Sequence, residues 1–390
     1  MLHRMNEKIK TIEVPGIRVF SNKVAQMPEG INLTIGEPDF PTPQKIKDAG
    51  ATAIANDLTS YSHNAGLLEL RKAVSSFFED TYHFHYDPET EIVITNGASS
   101  GIDAIFRSIL TEGDEVILPV PIYSGYEPII HLCGAKAVYL DTTTTNFLPD
   151  PEQLEKLISN KTKAIVFNYP SNPTGAVIDK ERMDKLVQII IKHEIFIISD
   201  EIYSENTYKG THVSFGSYSE VREQLFLVHG LSKSHSMTGW RLGFVLGSKK
   251  VMDQILKAHL SNSICASLPS QYAGIEALSN CRNVPNEMNK SYIKRRDYVY
   301  KRLVDMGLSL AEPKGAFYAF PSIKSTGLTS YEFATKLLNS KQVAVVPGSA
   351  FTQYGEGFIR ISYANSMENL IKAMDRIEDF VKSLSSALDK

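Results

Sequence analysis

Short, nearly continuous runs of β-branched and aromatic residues, separated by stretches of helical spacing, constrain this chain more than any other feature. Residues 92–95, 116–118, 164–167, 196–199, 225–228 and 244–246 are almost wholly apolar, the pattern of strands buried on both faces. Between them, apolar residues recur at helical intervals. Leu70, Ala73, Val74, Phe77 and Phe78 form one such set, and Met183, Leu186, Val187 and Ile190 another, with Asp179 placed to cap the second. Alternating strands and helices predict an α/β fold: a mostly parallel central sheet flanked by helices and joined by right-handed crossovers. The unit so defined runs over 45–280.

The pattern breaks at the polar stretch 280–286, after which a charged helix-like stretch runs through Lys294, Arg295, Arg296 and Asp297 to Leu303. Residues 316–320 and 343–346 read as strands of a smaller sheet, and 366–388 as a closing helix. Residues 1–44 carry no core of their own and are expected to pack on this second unit or across a subunit boundary. A smaller α+β domain built from 1–44 and 281–390 is the expectation, and 390 residues suffice for two such units. No repeat of 20 to 50 residues is present.

Composition narrows the function. A net charge of -3, with 22% charged residues, offers no basic face for nucleic acid. Cys133, Cys265 and Cys281 are widely spaced, which suggests neither a disulfide framework nor zinc and points to a reducing compartment. The first ten residues lack the apolar core of a signal peptide, and no apolar run reaches membrane-spanning length, so a cytoplasmic protein without membrane partners is expected.

Residues 231–243 place Lys233 between Ser232 and Ser234, ahead of Arg241, which lies between Gly239 and Gly243. A lysine amine can condense with an aldehyde, while an arginine fork and serine hydroxyls suit a phosphate, so the segment reads as an anchor for pyridoxal phosphate. Alone, a Ser–Lys pair more often reads as a solvated loop, and its company decides. Asp200 ends an apolar run, at the strand edge where open α/β sheets bind ligands. There it can keep a pyridine nitrogen protonated, a pair worth roughly 4 kcal/mol at about 4 Å, or cap a following helix. Tyr203 can bond the cofactor's phenolic oxygen or fill the core. Asn172, in the Pro- and Gly-rich stretch 169–175, can donate to the same oxygen or close an Asx-turn.

Gly97, Ala98 and Ser99 lie between a strand and a helix-like stretch, where backbone amides can hold a phosphate or simply form a small-residue turn. Arg360 interrupts the apolar run 358–363 and needs an anion, either a substrate α-carboxylate or an internal salt bridge. No GxGxxG is present, which argues against a nicotinamide cofactor, and no spacing indicates a metal.

Taken together and in this order, Asn172 within Tyr-Pro-Ser-Asn-Pro-Thr-Gly, Asp200 with Tyr203, Lys233 with Arg241, and Arg360 resemble the class I aminotransferases of the fold-type I pyridoxal-phosphate group. The resemblance covers nearly the whole chain. Residues 33–40, 230–241 and 347–349 are most similar to bacterial N-acetyl-L,L-diaminopimelate aminotransferases of lysine biosynthesis. It implies that Lys233 binds the cofactor aldehyde, Asp200 the ring nitrogen, and Asn172 and Tyr203 the phenolic oxygen. Ala98, Ser99, Ser232 and Arg241 would hold the phosphate, and Tyr123 would stack on the ring. Tyr61 would reach the phosphate of a partner subunit, which makes a homodimer the expected assembly. Gly36, in a loop between the units, would close on a carboxylate held by Arg360.

Two positions depart from the family. Gly230 stands where some relatives have a phosphate-binding serine, and Ser99 where certain aspartate-specific relatives have a lysine, so strict aspartate specificity is not expected. The implied reaction is ping-pong transfer of an amino group to 2-oxoglutarate, yielding glutamate, with an aromatic or aspartate aminotransferase as the alternative substrate reading. A β-lyase acting on cysteine S-conjugates would share the same core residues. A ligand-sensing domain of a transcription factor is disfavoured, because no helix-turn-helix pattern is evident.

Overall fold

The computed structural model describes residues 1–12 and 17–388, so 13–16 and 389–390 of the expected second unit lie outside the described residues. In chain order the strands are β1 (Ile31–Asn32), β2 (Ile92–Thr95), β3 (Glu115–Val120), β4 (Lys136–Asp141), β5 (Thr162–Asn168) and β6 (Phe196–Asp200). There follow β7 (Leu225–Gly230), β8 (Gly243–Leu246), β9 (Tyr318–Ala319), β10 (Val343–Ala344), β11 (Val346–Pro347) and β12 (Ile359–Ser362). Seven of them form one sheet in the order β2-β8-β7-β6-β5-β3-β4.

Side chains alternate across this sheet, and both faces are covered. Ile94, Ile117, Ile165, Ile197 and Leu227 enter one core. Their neighbours Val93, Val116, Val166, Ile198 and Phe226 enter the other. Double burial is why these strands read as continuous apolar runs. The helix Lys180–His193 starts as expected, with Asp179 accepting from the Arg182 amide and Met183, Leu186, Val187 and Ile190 buried.

The sheet is parallel except for β8, which is antiparallel to both β2 and β7. The edge strand β4 escaped the sequence reading because it is short of full burial, with only Leu140 of its six residues buried and a charge at each end. The stretch 280–286 is not a long break. One helix ends at Asn280 and the next begins at Val284, with Pro285 in its first turn, a position proline favours because its missing N–H is not needed there. Nor is 343–346 one strand. β10 pairs with β1, and β11 pairs with β12 in a three-stranded sheet β11-β12-β9.

A third core gathers Tyr292, Phe333, Leu337 and Ile377 from helices after residue 284. Phe20, Val24, Ile31 and Leu33 from the N-terminal part join it. Among the described residues no helix is long and apolar enough to cross a membrane.

Candidate active site

Parallel strands β5, β6 and β7 end side by side, with Asn168 opposite Asp200 and Asp200 opposite Val228. The segments leaving those ends carry Asn172, Tyr203, and Ser232 with Lys233. Because β8 runs the other way, it starts at this same edge, and the connection from β7 delivers both Lys233 and Arg241 there. Gly36, Ala98, Ser99, Tyr123, Asn172, Asp200, Tyr203, Ser232, Lys233, Arg241 and Arg360 all line one cleft of about 400 Å³. Gly97 lies directly behind it, and a Cβ there would come within 2.4 Å of Arg241 Nη2. Tyr61 lies elsewhere, 78% exposed on the surface.

Lys233 Nζ donates to the Gly36 carbonyl at 2.6 Å. Burial pulls this amine down to about 8, opposed chiefly by the charge of Glu37. Glu37 is in turn held by the Thr238 hydroxyl at 3.2 Å. Asp200 is buried, and desolvation raises its carboxyl to about 6. Its Oδ2 accepts from the Tyr126 hydroxyl at 2.6 Å and its Oδ1 from the Ile202 amide at 3.2 Å. No regular helix follows Asp200, only a short 3-10 turn begun by Tyr203, so Asp200 is not a helix cap.

Arg360 is buried on β12. One of its amino groups donates to Asn172 Oδ1 at 2.8 Å and the other to the Thr34 carbonyl, while Nε has no partner. The guanidinium lies over the Tyr318 ring, 4.5 Å from its centroid. Among the described residues no carboxylate forms an ion pair with it, so the internal salt bridge is excluded there. Asn172 spends its carbonyl on Arg360 and keeps its amide protons for the cleft. Its backbone N–H donates to Asn168 Oδ1 at 3.0 Å.

On the opposite wall, Ala98 opens the helix Ala98–Ile109 behind Gly97, whose φ is +79°. Gly243 backs this turn so closely that a Cβ on it would stand 2.5 Å from the Ala98 nitrogen. The chain thus forms a cradle of backbone amides with Arg241 across it, the chemistry of a phosphate site. Gly230, the departure from relatives with serine, is explained by space: a Cβ there would meet the Leu242 carbonyl at 2.8 Å.

These features fit an aldehyde cofactor bearing a phosphate and a basic ring nitrogen. Lys233 offers the amine, Asp200 a buried carboxylate with no ion-pair partner among the described residues, Gly97 to Ser99 with Ser232 and Arg241 the anion site, and Arg360 a second anion site. Sequence reasoning missed Tyr126, Thr34, Tyr318, Ser21 and Thr238. Tyr126 had a signal, since it stands three residues after Tyr123 and opens the helix that follows. Tyr318 had none, because one tyrosine in an aromatic run does not announce which way it faces.

Fold and cleft together define an α/β enzyme that performs chemistry on amino or carbonyl groups at its sheet edge. Residues 28–377 match the family model of aminotransferase class I and II, and the chain belongs to that family. It is an aminotransferase, a transferase of nitrogenous groups. It is 50% identical over 388 residues to a Bacillus subtilis (strain 168) protein named "Probable N-acetyl-LL-diaminopimelate aminotransferase", covering 100% of this chain and 98% of the other. It is 40% identical to an aspartate aminotransferase of Pyrococcus abyssi, covering 97% and 98%. A crystal structure of an aromatic aminotransferase from Pyrococcus horikoshii OT3 superposes with a TM-score of 0.89 at 40% identity, covering 93% and 99%.

Proposed function

We propose that this aminotransferase uses pyridoxal 5′-phosphate in a ping-pong cycle, moving the amino group of N-acetyl-L,L-diaminopimelate to 2-oxoglutarate in lysine biosynthesis. The observation that carries the reading is the meeting, in one cleft, of the desolvated Lys233 amine, the buried Asp200 carboxylate and the Arg360 guanidinium. When bound, the cofactor supplies an aldehyde to carry the amino group and a ring to accept the electron pair left by proton loss. Lys233 holds the aldehyde until substrate arrives. Its Nζ, drawn down to about 8 by burial, would take the substrate's α-proton and return it at the far end of the same transfer. Asp200 would keep the ring nitrogen protonated, Tyr203 and Asn172 would donate to the phenolic oxygen, and Tyr123 would cover the ring. Gly97, Ala98, Ser99, Ser232 and Arg241 hold the phosphate, while Arg360 and the Gly36 backbone receive the α-carboxylate.

Two observations favour the acetylated substrate. The similarity to the Bacillus protein is full-length. Beyond Lys233, Arg241 and Arg360, the described cleft wall holds no cation, so an aspartate side chain finds no partner in this chain. The same reading makes the enzyme a homodimer in which Tyr61 reaches the partner's phosphate site. Residues 45–280 hold the cofactor, and 1–44 with 281–390 close over it. Three free cysteines accord with a cytoplasmic setting.

A panel of amino donors assayed with 2-oxoglutarate tests the reading. N-acetyl-L,L-diaminopimelate should give the highest kcat/KM. A higher value for aspartate or an aromatic amino acid would overturn the substrate, and release of pyruvate and ammonia without a keto acid would mark a lyase.

A further inference from the structure

The Tyr318 hydroxyl is a polar group of the cleft to which the cycle above gives no task. Tyr318 lies on β9 of the three-stranded sheet, 1% exposed, whereas Tyr203 follows β6 of the large sheet. Their hydroxyls meet at 2.6 Å, and either can be the donor. Among the described residues neither hydroxyl has a second hydrogen-bond partner. The rings stand edge to face, 5.8 Å between centroids. Tyr318 is held firmly: Arg360 covers its ring, and a Cβ on Gly36 would lie 2.3 Å from its hydroxyl oxygen. The charged and titratable groups around the pair are Arg360 from β12, Tyr123, Tyr126 and Asp200 from the sheet edge, Tyr292 and Tyr363 from the smaller unit, and Lys233 Nζ, 5.9 Å from the Tyr203 ring centroid.

A hydroxyl that donates in one direction becomes a better donor when it also accepts from behind. We propose that Tyr318 is a positioning residue of this reaction: its hydroxyl donates to Tyr203 Oη, aligns the Tyr203 proton toward the cofactor's phenolic oxygen, and strengthens that hydrogen bond. The inference rests on the pyridoxal-phosphate reading. Without Tyr318, Tyr203 loses its backing and is free to turn its proton away from the oxygen. The oxygen then retains more charge and holds the proton it shares with Lys233 Nζ to higher pH.

The test is a pH titration of the visible absorption band of the holoenzyme, loaded with pyridoxal 5′-phosphate. Tyr318→Phe should raise the midpoint by about 0.4 pH unit, and Tyr203→Phe by about one unit or more. In the Tyr203→Phe background, adding Tyr318→Phe should change nothing further, because the two act as one chain. 3-Fluorotyrosine at position 318, a stronger donor of nearly the same shape, should lower the midpoint, and it carries the test if Tyr318→Phe does not fold. A wild-type midpoint in Tyr318→Phe or in the fluorotyrosine protein would overturn the role of Tyr318 alone. So would an undiminished Tyr318→Phe shift in the Tyr203→Phe background. A wild-type protein that develops no visible band with the cofactor would overturn the cofactor reading, and the role of Tyr318 with it.

Discussion

At Asp200 and Lys233 the cleft holds two charges that burial opposes, and their effects on stability run in opposite directions along the pH scale. Asp200 titrates at about 6 in the fold against an ordinary 3.8. The folded state therefore binds more protons than the unfolded state between these values, and stability falls as pH rises through them. At pH 7 the cost is about 3 kcal/mol. Asp200→Asn should make the cofactor-stripped protein more stable than wild type at pH 7 by up to that amount, with no difference below about pH 4, as read by urea unfolding. Lys233, lowered from 10.5 to about 8, costs stability below pH 8, and the cost fades as pH rises toward 10.5. Lys233→Met should therefore help the stripped protein at pH 7 and not at pH 10.5, while abolishing turnover. Arg360→Ala should raise KM for amino and keto acids alike by about 10- to 100-fold. A rise for one substrate only would mean that Arg360 reads a side chain. Asp200 and Arg360 were legible in the sequence because each ends or interrupts an apolar run, where a charge needs a reason, and Lys233 because it stands between two serines ahead of Arg241. Tyr126 and Tyr318 were not, because a buried tyrosine is ordinary core until its hydroxyl partner is known.

Among the elements, β8 decides the layout. Its reversed direction brings Arg241 to the edge where Lys233 already stands, and it places Gly243 opposite both Thr95 and Gly230. Backbone crowding at this junction explains the two glycines better than flexibility does, since neither has a positive φ. Gly243→Ala should push the Gly97–Ala98 turn out of place. A loss of about 1 to 3 kcal/mol is expected, together with weaker cofactor binding, measured by chemical unfolding and by cofactor titration. An affinity equal to wild type would show that the turn does not hold the phosphate. The central strands were readable because both faces are buried. The direction of β8 was not, since a short apolar run looks the same either way. β4 was lost for being an edge strand, and 343–346 was misjudged because two strands in different sheets share one apolar stretch.

For the whole molecule, the exposed Tyr61 ring, at 78%, is the residue that a single chain leaves without work. In the proposed homodimer its hydroxyl completes the partner's phosphate site. Tyr61→Phe should weaken cofactor binding about tenfold, the value of one hydrogen bond to a charged group, without altering the sedimentation of the dimer. An unchanged affinity would remove Tyr61 from the site. One feature of the architecture also bears on how the protein is made. Among the described residues β1 pairs with β10 alone, so Ile31 awaits Val343, whereas every strand of the large sheet has been synthesised by residue 246. On the ribosome the large sheet can assemble while Phe20, Val24, Ile31 and Leu33 still lack the core they belong to. For that interval the nascent chain carries an apolar segment with nothing to cover it, a stretch suited to capture by a chaperone and released when the last part of the chain emerges.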